Sequence, residues 1–341
     1  MNRRRFFQPI LTGLADLDES PIVGDLPLIR FSRRAMATGF EIAFPFGMPN
    51  GQFAAFAGLD LIDELESQLT IYRDDSEVSQ LNANAFDHPV IVDRGLFELL
   101  RQSQFIWRDT EGAFDIATGS LIKAWGFYRR EGCVPTPRDR AEALANTGTR
   151  YLVLDDFNSA VRFLRSGVEI NLGAIGKGYA LDRVKAVLRA DFGIESALMN
   201  GGNSSVVAIG TPPNQKGWKI SLKHPWKDSC SLGIITLANR ALGTSAATYQ
   251  YFEYNNRKLG HVLDPRKGWP ALGMAHASVI APTGAEADAL STAFFVGGID
   301  LARRYCHTHP EIGAVLLPDG DDSQPVTFNL SSAEYTPPPL A

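Results

Sequence analysis

Asp288 and Thr292 stand four residues apart in Ala285-Glu286-Ala287-Asp288-Ala289-Leu290-Ser291-Thr292. On a helix that spacing puts both on one face. A carboxylate and a hydroxyl among small apolar neighbours are hard oxygen donors that suit Mg²⁺, with waters and ligand phosphates completing the shell. Helix capping by Asp288 is the structural use of the same residue. Upstream, Ile170-Asn171-Leu172-Gly173-Ala174-Ile175-Gly176-Lys177-Gly178-Tyr179-Ala180 passes through three glycines into a helical pattern. Backbone N–H groups at a helix start can hold a phosphate, with Lys177 adding a full charge. The segment is not a Walker A loop, since Asn171 stands at the first-glycine position and Gly178 replaces Ser/Thr. A structural turn fits these residues equally well.

Two more segments carry polar or glycine residues beyond structural need. Asn200-Gly201-Gly202-Asn203-Ser204-Ser205 breaks a strand at two glycines, which allows close approach by a ligand and equally a bulge or turn. Gly260-His261-Val262-Leu263-Asp264-Pro265-Arg266-Lys267-Gly268-Trp269-Pro270 sets a histidine beside a rigid turn, where it can serve as a base. A lone histidine is more often structural. His307-Thr308-His309 beside Cys306 offers metal-binding atoms but reads better as a polar turn before Pro310.

The elements that must position these residues alternate along the chain without a repeat. Phe40 to Phe46 reads as a strand, and Leu59, Ile62, Leu65 and Leu69 have helical spacing. Ser76 is placed to cap a short helix, and Leu96, Leu99, Leu100 and Ile106 mark another. Strands are expected at 151–154, 160–164 and 168–172, the last entering the glycine turn. A helix follows from Lys177 with Leu181, Val184 and Val187 on its buried face. Further strands are expected at 196–199, 205–209, 218–222, 233–237, 277–280, 313–317 and 326–328. Ala285 to Val296 forms a helix ended by Gly297-Gly298.

Composition bounds the function. The 341 residues hold 33 Lys+Arg and 38 Asp+Glu, a net charge of −5 with no basic stripe, which argues against nucleic-acid binding. With 45% hydrophobic residues the chain can offset the entropy of ordering, so it folds. No run approaches the roughly 18 apolar residues of a membrane span. Cys133, Cys230 and Cys306 are odd in number and never in a C-x-x-C pair, which argues against a disulfide framework or zinc ribbon. Arg3-Arg4-Arg5-Phe6-Phe7 is similar to the opening of a twin-arginine signal, but Asp16 comes too soon for an apolar core segment. The expectation is a cytoplasmic protein with an N-terminal extension at 1–25, one α+β domain at 26–330 and a tail at 331–341.

Taken together, the segments resemble the FAD:protein FMN transferase (ApbE) family. Arg34-Ala35-Met36-Ala37-Thr38 is similar to its R-x-M-G-T opening. Leu69-Thr70-Ile71-Tyr72-Arg73-Asp74-Asp75-Ser76-Glu77-Val78-Ser79-Gln80-Leu81-Asn82 is similar to its S-x-Y-x-x-x-S-x-[IL]-S-x-[IL]-N stretch. Gly112-Ala113-Phe114-Asp115 and Trp125-Gly126-Phe127 follow, then the four segments above, in family order. The chain departs from the family at Asn171 and Asn203, where Asp is usual, at Lys267 for Thr, at Ala37 for Gly, and at Thr244-Ser245-Ala246-Ala247 for T-S-G-D.

The resemblance implies a single α+β domain with a mixed, largely antiparallel sheet and packed helices. It implies FAD as substrate, Mg²⁺, and transfer of FMN to a Ser or Thr hydroxyl of a partner flavoprotein with release of AMP. By matched position, Met36, Tyr72, Ala113, Phe114, Asp115, Asn171, Lys177 and Leu263 contact FAD. Asp288, Thr292 and the carbonyl of Ala174 hold the metal, and His261 acts on the acceptor hydroxyl. The alternatives are Mg²⁺-dependent hydrolysis of FAD to FMN and AMP, and a flavin-binding protein without catalysis.

Overall fold

The structure is a computed structural model that describes residues 27–338 except 130, 228–229, 248–250, 255–256 and 321. The N-terminal extension with its arginine run, and residues 339–341 of the tail, lie outside the described residues. An eight-stranded sheet runs in chain order: Leu28–Ala35, Thr38–Pro45, Ala197–Gly201, Ser205–Ile209, Ala241–Ala246, Met274–Ala281, Gly313–Pro318 and Val326–Phe328. Each pairing between these strands is antiparallel. The chain leaves the sheet between strands, and these excursions carry the helices and most of the chemistry.

The helices are α1 (Gly51–Leu69), α2 (Glu77–Asn84), α3 (Arg94–Asp109), α4 (Gly119–Ala124), α5 (Pro137–Ala145), α6 (Gly176–Ala190) and α7 (Gly284–Thr308). Ser76 caps α2, accepting from the Ser79 N–H at 3.1 Å, as its sequence position predicts. α6 buries Leu181, Val184 and Leu188, while Val187 is only half-buried, one position off the expected stripe. In α7, Gly298 (φ 70°, ψ −167°) breaks the helical backbone, and a second helical segment runs on to Thr308. His309 ends it, stacked on Tyr305 with ring centroids 4.1 Å apart.

The sheet separates two cores because side chains alternate across it. Val207, Ile209, Ala277 and Val279 pack against the helices, with Leu59, Ile62, Leu181, Val184 and Phe294. Val206, Ala208, Leu242, Ile280 and Val315 face a three-stranded sheet of Trp218–Lys223, Ser231–Leu237 and Tyr335–Thr336. Tyr335 and Thr336 pair with Ile235 and Ile234, so the chain past residue 330 contributes a strand. Val90–Ile91, Ala160–Phe163 and Leu152–Asp155 form another small sheet.

The stretch 168–172 joins no sheet, which corrects the expected strand. Its backbone groups are met singly. The Asn82 side chain brackets Ile170, donating to its carbonyl at 2.9 Å and accepting from its N–H at 2.7 Å, and the Asn171 N–H donates to Ile116. The edge strand Leu28–Ala35 escapes an alternation reading because Arg30, Arg33 and Arg34 interrupt it. Charges of this kind also blunt a sheet edge. Among the described residues no helix is long and apolar enough to cross a membrane.

Candidate active site

The crossing of α6 and α7 is set by glycine. A Cβ on Gly178 would lie 2.0 Å from the Gly284 carbonyl oxygen, so the two helix starts touch backbone to backbone. Asp182 of α6 caps α7, accepting from the N–H groups of Gly284 at 2.8 Å and Ala285 at 2.9 Å. On the sheet side, a Cβ on Gly243 would lie 2.3 Å from Ala287 backbone atoms, which seats α7 directly on strand Ala241–Ala246. These contacts fix the first two turns of α7.

Asp288 is thereby buried, 5% exposed, at the junction of α6, α7 and the sheet. Its carboxylate accepts from the Gly178 N–H at 2.8 Å, and the Ser205 hydroxyl lies 2.7 and 2.9 Å from its two oxygens. Burial pushes this carboxyl up to about 6, against the Lys177 charge and the Ser205 and Gly178 hydrogen bonds, which favour the anion. Thr292, one turn on, is half-buried and lies 3.3 Å from the Ser245 hydroxyl. Ser245 is also 3.0 Å from Ser291, whose hydroxyl donates to the Asp288 carbonyl at 2.9 Å. Ala174 lies in the turn leading into α6. Among the described residues no cluster of three or more His, Cys, Asp or Glu could hold a metal, so a cation here would rely on mixed oxygen donors.

The glycine turn is less open than its sequence implies. N–H groups of Gly173, Ile175, Gly176, Gly178 and Tyr179 are engaged inside the protein, by Asn171, Leu172, Leu172, Asp288 and Ile175 respectively. An anion would therefore depend chiefly on Lys177. Asn171 shapes the turn, its side-chain carbonyl accepting from the Gly173 N–H at 2.8 Å. That local bond is one Asp also makes, which explains how Asn is accommodated.

His261 is half-buried, just ahead of Leu263–Asp264, which pairs with Trp269–Pro270. The intervening turn is held from both sides. Arg266 donates to the two Asp264 oxygens at 2.8 and 3.0 Å, and Lys267 lies 3.3 Å from the same carboxylate. Burial acts to raise the Asp264 pKa, but the Arg266 pairing and backbone N–H overcome it and hold the carboxyl below its ordinary value. The buried Trp125 donates its indole N–H to the Gly268 carbonyl at 3.1 Å and meets Trp269 edge-on at 5.2 Å. This joins the Trp125-Gly126-Phe127 segment to the histidine turn. Leu263 packs with Leu121 and Trp125.

Tyr72 is 60% exposed and stacks on Tyr128 at 4.9 Å, an aromatic platform with accessible surface. Met36 and Ala37 form the two-residue turn joining Leu28–Ala35 to Thr38–Pro45, with the Met36 N–H donating to Glu66 at 2.8 Å. Ala113 and Phe114 are buried in the core at 1% and 0% exposure, and their N–H groups donate to the carbonyl and hydroxyl of Thr110. Asp115 closes a loop instead of facing open space: its carboxylate accepts from the Thr149 N–H and hydroxyl and the Ala117 N–H at 2.8–3.1 Å. Burial raises its pKa, opposed by those bonds.

Comparison with known proteins decides the family. The ApbE family profile matches residues 36–316. The chain belongs to the ApbE family. It is 32% identical to the FAD:protein FMN transferase of Klebsiella pneumoniae over 265 residues, covering 77% of this chain and 81% of that protein. It is 30% identical over 273 residues to the FAD:protein FMN transferase of Treponema pallidum, with 75% of each covered. The fold is similar to the ApbE protein of Thermotoga maritima, with TM-score 0.79, 28% identity and coverage of 87% of this chain and 96% of that one. It is also similar to the flavinyl transferase ApbE of Pseudomonas stutzeri in its apo form, with TM-score 0.78, 25% identity and 91% and 99% covered.

Within this ApbE domain the structure joins Asp288, Lys177 and Thr292 through α6 and α7, and ties the turn that follows His261 to the Trp125 segment. Ser205, Ser245 and Ser291 lie in the segments singled out from sequence but are given no role there, although all three sit beside the proposed metal ligands. Their signal was present as hydroxyls in largely apolar strands and on the apolar start of α7. Their partners lie 83 and 46 residues away in two cases, out of reach of local patterns.

Proposed function

We propose that this protein is a Mg²⁺-dependent FAD:protein FMN transferase whose acceptor is a Ser or Thr hydroxyl of a partner flavoprotein. The observation that carries the proposal is the buried Asp288 carboxylate at the α6–α7 crossing, close enough to Lys177 to feel its charge, in a chain of the ApbE family. A carboxylate, a hydroxyl and a backbone carbonyl are the hard oxygen donors Mg²⁺ prefers. A carboxyl raised by burial also gains from a cation that stabilises its charged form. Asp288, Thr292 and the Ala174 carbonyl would hold the ion, which when bound supplies Lewis-acid charge neutralisation at the diphosphate.

The remaining work belongs to the chain's own groups. Lys177 offsets phosphate charge, and phosphoryl transfer depends mainly on such positioning and neutralisation. Tyr72 offers a ring face for stacking, and Ala113, Phe114, Leu263, Met36 and Asn171 shape the FAD site around it. His261 takes the proton of the acceptor hydroxyl. The acceptor oxygen bonds to the FMN phosphorus, the bond from that phosphorus to the bridging oxygen breaks, and AMP leaves with that oxygen.

Incubation with FAD, Mg²⁺ and candidate flavoproteins, read by in-gel flavin fluorescence and AMP release, tests this. Labelled acceptor with stoichiometric AMP is the expected result. AMP without label would make the protein a hydrolase, and bound FAD with neither would make it a binder; each overturns the proposal. His261→Ala should still bind FAD but lose transfer by roughly 10²–10⁴-fold.

A further inference from the structure

The hydroxyls beside Thr292 have a direction that can be read from the heavy atoms alone. A hydroxyl carries one proton and two acceptor lone pairs. Ser291 lies 2.9 Å from the Asp288 backbone carbonyl, which can only accept, so the Ser291 proton is committed there. Ser245, 3.0 Å from Ser291, must then donate to it. With that proton spent, Ser245 can only accept from Thr292, 3.3 Å away. The order is Thr292 to Ser245 to Ser291 to the Asp288 carbonyl.

We propose that Ser245 and Ser291 are positioning residues that draw the Thr292 proton away from the metal position and leave its lone pairs for a divalent cation. The inference rests on the metal reading given under Proposed function and extends it to two residues outside the ligand set. A metal-bound hydroxyl needs this polarity, because a proton facing the cation would repel it. Neighbouring groups that orient a ligand typically change metal affinity by roughly 10–100-fold when removed. Ser245 comes from strand Ala241–Ala246 and Ser291 from α7, so the relay also ties the proposed metal helix to the sheet. Ser245 lies in Thr244-Ser245-Ala246-Ala247, where the chain departs from the family's T-S-G-D, and the hydroxyl is kept.

Mn²⁺ titration of the full chain, with free Mn²⁺ followed by electron paramagnetic resonance, tests the relay without needing turnover. Ser245→Ala and Ser291→Ala should each weaken Mn²⁺ binding about tenfold, near the lower end of that range. The double variant should lose no more than either single, because the relay is serial. Ser245→Thr, which restores a hydroxyl, should recover most of the affinity and stands in if the alanine variant does not fold. Unchanged Mn²⁺ affinity in both alanine variants, or additive losses, overturns the relay while leaving the metal site intact. Absence of Mn²⁺ binding by the unmodified protein overturns the metal reading itself, and the relay with it.

Discussion

Replacing Asp288 by Asn should stabilise the metal-free protein at neutral pH while removing its response to metal. The Asp288 carboxyl rises from its ordinary 3.8 to about 6 because it is buried. At about 1.36 kcal/mol for each pKa unit, ionising it in the fold costs about 3 kcal/mol. The sign follows from proton counting. Below pH 3.8 both folded and unfolded chains hold the proton; between 3.8 and about 6 only the folded chain does, so stability falls as pH rises; above 6 the full cost applies. Linkage puts this cost at about 1 kcal/mol at pH 4.5 and about 3 at pH 7.5. Asn can keep the local bonds, its carbonyl accepting from Gly178 and its amide donating to Ser205, so the variant lacks the titration without an unpaired group. Urea unfolding of both proteins in chelator should show the stability difference moving in favour of Asp288→Asn by about 2 kcal/mol from pH 4.5 to 7.5. Other carboxylates titrate in both proteins and cancel. Mg²⁺ should then raise the melting temperature of the natural protein only. A difference that does not change with pH, or one that turns against the variant at pH 7.5, refutes the assignment of a strained buried carboxylate.

Three further outcomes follow from the same contacts. His276, buried and bonded to Ser278 at 2.8 Å, has its pKa lowered to about 4 by burial, so its stability contribution is complete above 6.5 and is lost as pH falls toward 4; His276→Gln should flatten that acid limb by about 3 kcal/mol in chemical unfolding. Ala37 holds φ 60° in a turn where glycine is at ease, so Ala37→Gly should relieve about 1–2 kcal/mol of strain, lose about half of that to unfolded-chain entropy, and raise the melting temperature. Gly178→Ala places a Cβ 2.0 Å from the Gly284 oxygen, and should cost at least about 3 kcal/mol and weaken Mn²⁺ binding, since the helix that carries Asp288 must move; an unchanged melting temperature would mean that the crossing tolerates separation.

The sequence reading succeeded where structure is local. The Ser76 cap, the strand Ser205–Ile209 and the stripe through Leu96, Leu99, Leu100 and Ile106 depend on neighbours within a few residues. It failed at 168–172, where apolar residues have strand character but the Asn82 amide occupies the backbone groups a ladder would use. It also stopped α7 at Gly298, where the backbone breaks but a second helical segment follows. In the site, residue types flagged Asp288, Thr292 and Lys177, while the family resemblance supplied Tyr72 and Ala174. The work of Asp115 inside the fold, binding Thr149 and Ala117, is a tertiary contact that spacing does not reveal. The use of Gly178, set by an approach to Gly284 across the helix crossing, is equally invisible in the chain.

In the proposed reaction FMN leaves FAD for a hydroxyl of another protein. Intact-mass spectrometry of a candidate acceptor flavoprotein, incubated with this protein, FAD and Mg²⁺, measures that transfer directly. The expected result is a mass gain of one FMN phosphoester, mapped to a single Ser or Thr, present with the natural chain and absent with Asp288→Ala. An acceptor that stays unmodified while FAD is converted to free FMN and AMP would contradict it.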